Sequence, residues 1–110
     1  MDQRRKHYRV WYPDHHRPVL QLGGKRFNVA ELSEKGARIV PDSDAPDAPE
    51  IPRGERFRAR MHFVDGGEVG VTARFLRVDG PHLVLQLLLG VSLRRMISEQ
   101  MRLRRVFGAA

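Results

Sequence analysis

A chain of 110 residues makes one domain with a modest core and no room for a second lobe. Its composition, 41% hydrophobic and 30% charged, suits a folded soluble protein, and the absence of cysteine excludes disulfides, thiolate metal sites and a cysteine nucleophile. With 20 Lys and Arg against 13 Asp and Glu the net charge is +7, which selects an anionic partner without choosing among nucleotide, nucleic acid and an acidic protein or membrane surface.

Residues 1–16 are polar and basic and sustain neither a helical nor a strand period, so they read as an arm leading into the first strand. Trp11 and Tyr12 are the expected anchor of that arm on the domain. Arg17 to Leu22 and Lys25 to Ala30 form a hairpin about Gly23-Gly24. Gly36 permits a tight bend before a third short strand, Ala37 to Val40. Pro41 to Gly54 follows, with four prolines and Asp42, Asp44, Asp47 and Glu50; it cannot build a core and is expected as an exposed acidic loop.

Glu55 to Val64 is the clearest strand. Phe57, Ala59, Met61 and Phe63 share one face and Arg56, Arg58, Arg60 and His62 the other. Asp65-Gly66-Gly67 turns the chain into Val69 to Val78. There the alternation fails at Leu76-Arg77-Val78, as at a bulge or where both faces are covered. Asp79-Gly80 turns it again into His82 to Leu89, with Leu83, Leu85, Leu87 and Leu89 on the core face. Val84 and Leu88 fall on the opposite face, so a covering element is expected there. Ser92 is a good N-cap for a helix of roughly four turns, with Leu93, Met96, Ile97, Gln100, Leu103 and Phe107 at helical spacing. Val91 and Met96 can staple its start, and Arg102, Arg104 and Arg105 oppose the dipole at its end. The sum is a mainly β domain, a small antiparallel barrel with a C-terminal helix: arm 1–16, barrel 17–90, helix 91–107.

Two short patterns carry chemistry. Arg5 and Arg9 form an R-x-x-x-R in which each guanidinium can fork onto phosphate or the guanine O6/N7 edge and stack on a ring, with Arg4 and Lys6 adding to the field. Glu31, Ser33 and Gly36 form an acid-x-Ser-x-x-Gly that offers hydrogen-bonding groups and room for close approach. Read alone, the first is a solvated basic tail and the second a turn between strands. In this order and at this separation the pair resembles the PilZ domain, whose signature is R-x-x-x-R followed by [D/N]-x-S-x-x-G. Glu31 stands where that family has Asp or Asn, and its carboxylate reaches about 1.5 Å further. The resemblance runs from Arg4 to the final helix. It implies a six-stranded antiparallel barrel followed by a helix, and a receptor for cyclic di-GMP. Carried over position by position, it implies that Arg5, Arg9, Ser33 and Gly36, with Glu31, hold the ligand. Arg4 and Arg38 join them as further phosphate contacts, Arg38 because it directly follows the motif.

No cofactor beyond that ligand, no catalytic residue and no metal is expected: G-x-S-x-G, P-loop and H-E-x-x-H patterns are missing, and Asp14-His15-His16 has diverging side chains. Such a receptor acts through an unidentified protein effector, as a monomer or weak dimer, on motility, attachment or exopolysaccharide. No apolar run approaches the roughly 18–20 residues that span a bilayer, and no apolar stretch follows Met1 to Arg5, so the expectation is a cytoplasmic protein without membrane insertion. The alternatives are a PilZ-like adaptor that binds no nucleotide and a small barrel for single-stranded nucleic acid. The last is disfavoured because Phe57, Phe63 and Phe75 lie on apolar strand faces, where they offer no stacking platform.

Overall fold

The computed structural model describes residues 9–41 and 53–107. Arg4, Arg5, Gly108 to Ala110 and most of the expected acidic loop (residues 42–52) lie outside them, as does the side chain of Phe107. Among the described residues seven strands precede one helix: β1 (Arg9–Trp11), β2 (Val19–Leu22), β3 (Lys25–Ser33), β4 (Gly36–Pro41), β5 (Arg56–His62), β6 (Glu68–Asp79), β7 (His82–Leu89) and α1 (Leu93–Phe107). All pairings between these strands are antiparallel, and the order β3-β2-β5-β6-β7-β4 closes on itself through β3 and β4. This is the expected six-stranded barrel.

The three glycine turns lie where sequence places them. Gly23, Gly66 and Gly80 adopt positive φ, and at Gly66 (φ 97°) the tight β5–β6 turn requires it. Along β5 and β6 the alternation holds: Met61, Phe63, Val71, Ala73 and Phe75 are buried in one core with Leu20, Phe27, Val29, Ile39, Leu85 and Leu87. The lapse at Leu76 is a bulge, for Phe75 pairs with Leu85 but Arg77 with Val84.

Five details depart from expectation. The arm is not free of regular structure: Arg9–Trp11 is a strand, followed by a 3-10 turn at Asp14–His16. Because β4 pairs along Phe27 to Leu32, β1 and β2 share the other edge of β3, and β3 therefore extends to Ser33 instead of stopping at Ala30. Of the two aromatic anchors only Tyr12 is buried; Trp11 is 58% exposed because alternation in β1 turns Val10 inward and its neighbours out. Leu89 is 68% exposed. It pairs with Thr72 while Leu87 pairs with Ala73, so a bulge at Leu88 reverses the phase. In α1 the inward face is Met96, Glu99 and Leu103, whereas Leu93 and Ile97 are exposed.

Ser92 caps α1 as read: its Oγ accepts a hydrogen bond from the Arg95 amide at 3.1 Å, and Val91 and Met96 are both buried beside it. What fixes the helix to the barrel is a buried charge. Glu99 is 0% exposed; Tyr12 Oη donates to its Oε1 at 2.8 Å and Arg102 reaches both its oxygens at 3.3 Å. Arg95 lies 3.8 Å from the same carboxylate, 4.0 Å over the Phe63 ring, and forks onto Asp65 at 2.5 and 3.0 Å. Gly67 makes this possible, since a Cβ there would stand 2.7 Å from the guanidinium. Burial, and then the Glu99 charge and hydrogen bond, push the Tyr12 phenol far above its ordinary value, so it stays a donor. The Arg95 hydrogen bond, and then the Gly67 amide, hold Asp65 at about 2.

Glu99→Ala strands the Arg102 guanidinium and the Tyr12 phenol and is expected to cost about 3–5 kcal/mol in urea denaturation. Tyr12→Phe, which deletes one donor to a charged acceptor, is expected to cost about 1.5–3 kcal/mol. The Asp65 carboxyl, lowered in the folded state, contributes stability above the ordinary carboxylate range that fades as pH falls towards 2. Asp65→Asn should therefore flatten the acid limb of a stability-versus-pH curve, and an unaltered limb would exclude this linkage.

Candidate functional site

The described residues of the two sequence patterns converge. β1 sets Arg9 opposite Ser33 and Trp11 opposite Glu31, and the β3–β4 register sets Glu31 opposite Arg38 and Leu32 opposite Ala37. Arg9, Glu31, Ser33, Gly36 and Arg38 thus line one open cleft of about 500 Å³. Its far wall is Leu76 and Arg77 of β6 with Val84 and Gln86 of β7, and Lys35 stands at the β3–β4 turn. That volume lies within the ordinary range for small-molecule sites.

Glu31 is the centre of the site. The β3–β4 register shifts between Val29 and Glu31, and Val29 to Leu32 are buried without a break, leaving the Glu31 residue 6% exposed. Arg38 Nε lies 3.2 Å from its Oε1 and Arg9 3.7 Å from its Oε2. Oε2 is buried and accepts no hydrogen bond among the described residues. A carboxylate oxygen kept from water without a donor has an unmet demand of the kind a ligand N–H satisfies.

Arg38 is shared, with a second hydrogen bond to Asp79 at 2.7 Å. That bond raises the Arg38 guanidinium and holds Asp79 below the usual carboxylate range. Ser33 Oγ donates to the Gly36 carbonyl at 3.2 Å and closes the turn. Gly36 is needed for closeness: a Cβ would stand 3.3 Å from the Leu85 carbonyl of β7 and 3.4 Å from Ser33 Oγ. Four cations, Arg9, Lys35, Arg38 and Arg77, thus line the cleft, and two of them, Arg9 and Arg38, flank its buried carboxylate.

Sequence reading missed Lys35, Arg77 and Asp79. The signal for Arg77 was present in the broken alternation at Leu76, since the bulge pairs Arg77 with Val84 and both line the cleft. Among the described residues no cluster of His, Asp and Glu suits a metal ion, and no helix is long and apolar enough to cross a membrane.

The family model of the PilZ domain matches residues 3–107. Among solved structures, the PilZ domain of YcgR from Escherichia coli with c-di-GMP is 20% identical, with a TM-score of 0.72 over 98% of this chain and 100% of that one. An uncharacterized Legionella protein is 15% identical, with a TM-score of 0.51 over 91% and 94% of the two chains. At these identities the likeness is one of fold. No curated protein matches the chain.

Gly36→Ala must push β7 back and is expected to cost about 1–3 kcal/mol, against about 0.5–1.5 kcal/mol for Ser33→Ala. Urea midpoints of the two variants measure this, and a Gly36→Ala midpoint equal to wild type would remove the close-approach role.

Proposed function

The chain belongs to the PilZ domain family, and from that premise we propose that it is a cytoplasmic receptor for cyclic di-GMP rather than an enzyme. The observation that carries the reading is Glu31 Oε2, a buried acceptor without a donor at the base of a cationic cleft. The guanine Watson–Crick edge presents N–H donors to such an oxygen, and Arg9, Arg38, Lys35 and Arg77 supply the charge that a diester pair needs. The bound cyclic di-GMP of the E. coli fold neighbour supports the choice of ligand.

On this reading Glu31 takes the part that Asp or Asn plays in the family. Its longer side chain is drawn back by Arg38, which leaves one oxygen for the base. Phosphate competes with Asp79 for Arg38 and with Glu31 for Arg9. Arg4 and Arg5, five and four residues before Arg9, close over the ligand, and the closed arm creates the surface that a protein effector reads. Control of motility, attachment or exopolysaccharide belongs to that effector.

One observation favours the adaptor reading. Glu31 already lies between Arg9 and Arg38, so the ligand must displace existing ion pairs. Calorimetric titration with cyclic di-GMP at physiological salt, with GTP as control, decides between them. Saturable binding is expected, weakened about 10–100-fold by Arg9→Ala or Glu31→Ala, the equivalent of about 1.5–3 kcal/mol for a hydrogen bond to a charged group. Arg5→Ala should weaken binding likewise. No heat with wild type would favour the adaptor, and unchanged affinity in Arg5→Ala would refute closure of the arm.

A further inference from the structure

Away from the cleft, the outer face of β2, β5 and β6 is strongly basic, and the nucleotide reading makes no use of it. Strand register fixes its layout. Arg26, Gln21, Arg60 and Gly70 form one row across β3, β2, β5 and β6; Arg58, Thr72 and Leu89 form the next across β5, β6 and β7. In the third, Arg56 faces Arg74 directly. Successive arginines of β5 therefore stand about 7 Å apart on one face. Among the described residues Arg60 has a carboxylate partner, Glu68, while Arg26, Arg56, Arg58 and Arg74 form no ion pair, and Arg74 Nε is a buried donor without an acceptor. Like charges directly opposed across a ladder destabilise it, so this face holds a positive field that Glu68 relieves at Arg60 but not at Arg56, Arg58 and Arg74.

The face is also concave. Arg58, Arg60, Gln21, Thr72 and Leu89 enclose a groove of about 610 Å³ over Gly70, where an added Cβ would meet nothing within 4 Å. We propose that this groove is a docking surface for an acidic segment of a protein partner, one that places carboxylates on Arg56, Arg58 and Arg60 and apolar side chains on Leu89. Two features select protein over nucleic acid. The outward positions of β2, β5 and β6 carry no Phe, Tyr or Trp on which a base could stack, and the imidazole of His62 is held by Glu68, its Nδ1 3.2 Å from Oε2. At the groove's end Leu89 and the neighbouring Leu88 are exposed, apolar surface that a sugar–phosphate chain leaves unused and a protein side chain covers. The proposal does not depend on cyclic di-GMP binding, since none of these residues lines that cleft.

Fluorescence anisotropy of the full chain tests it, with a labelled peptide of glutamate and leucine, its glutamine counterpart, oligothymidylate and vesicles of anionic phospholipid as probes. The acidic peptide is expected to bind saturably, at least tenfold tighter than the glutamine peptide and more tightly than oligothymidylate or the vesicles. The double variant Arg56→Glu/Arg58→Glu should weaken it at least tenfold. Gly70→Glu should do the same while leaving the melting temperature unchanged or raised, since the new side chain enters open space between arginines; this variant decides the matter if the double variant fails to fold. No saturable binding of the acidic peptide, affinity indifferent to Gly70→Glu, or tighter binding of oligothymidylate or vesicles would each overturn the proposal. Cyclic di-GMP titrations of Gly70→Glu report on the cleft separately.

Discussion

The pairing of Arg9–Trp11 with Glu31–Ser33 is the constraint on which both halves of the molecule depend. Three residues of β1 do three things at once. Val10 enters the core, Arg9 is set opposite Ser33 at the cleft, and the chain leaves towards Tyr12, whose phenol reaches the helix. Tyr12 also donates its amide to the Ala30 carbonyl at 2.9 Å, so the chain beyond β1 stays tied to the β3 bulge. Without this strand Glu31 would lose its Arg9 neighbour, and Glu99 would keep its arginines but lose its hydroxyl donor.

Two buried carboxylates define the electrostatics, and their difference is instructive. Glu99 is saturated: a phenol and a forked guanidinium occupy both oxygens, and Arg95 adds charge from the next turn. A buried acid so completely partnered holds elements in place. Glu31 has charge compensation but only partial hydrogen bonding, one oxygen lacking a donor. The same residue type thus serves as a fastener in α1 and as an open acceptor in β3, and the distinction rests on how many donors the neighbouring strands and helix bring within reach.

Much of the barrel was legible in sequence because hairpins are local. Strict alternation in Phe57 to Phe63, with glycine turns at Gly23, Gly66 and Gly80, fixes both strand identity and register. β1 was not legible, since a three-residue strand with one inward side chain has no period to detect; distant pairing with β3 alone defines it. Leu89 was misread for a related reason: a one-residue bulge inverts the faces beyond it, and runs of leucine conceal the inversion. At the site, Arg9, Glu31, Ser33, Gly36 and Arg38 were readable from the paired motifs, and the fold gathers all five. The burial of Glu99 is hard to read from sequence, because a charged residue in an amphipathic helix is normally solvated. The spacing of Glu99 from Met96 and Leu103, three before and four after, places it on the core face, which was the available sign.

Closure of the ring has one further consequence. Every strand of the described residues except β1 has neighbours on both sides, and β1 exposes an edge only three residues long. An incoming chain therefore finds almost no unpaired backbone on which to add a strand, the route by which open sheets recruit peptides and also by which they aggregate. Recognition by this barrel must pass through side chains, so its specificity can be rewritten by substitutions on the outer faces of the strands without disturbing the ladder beneath.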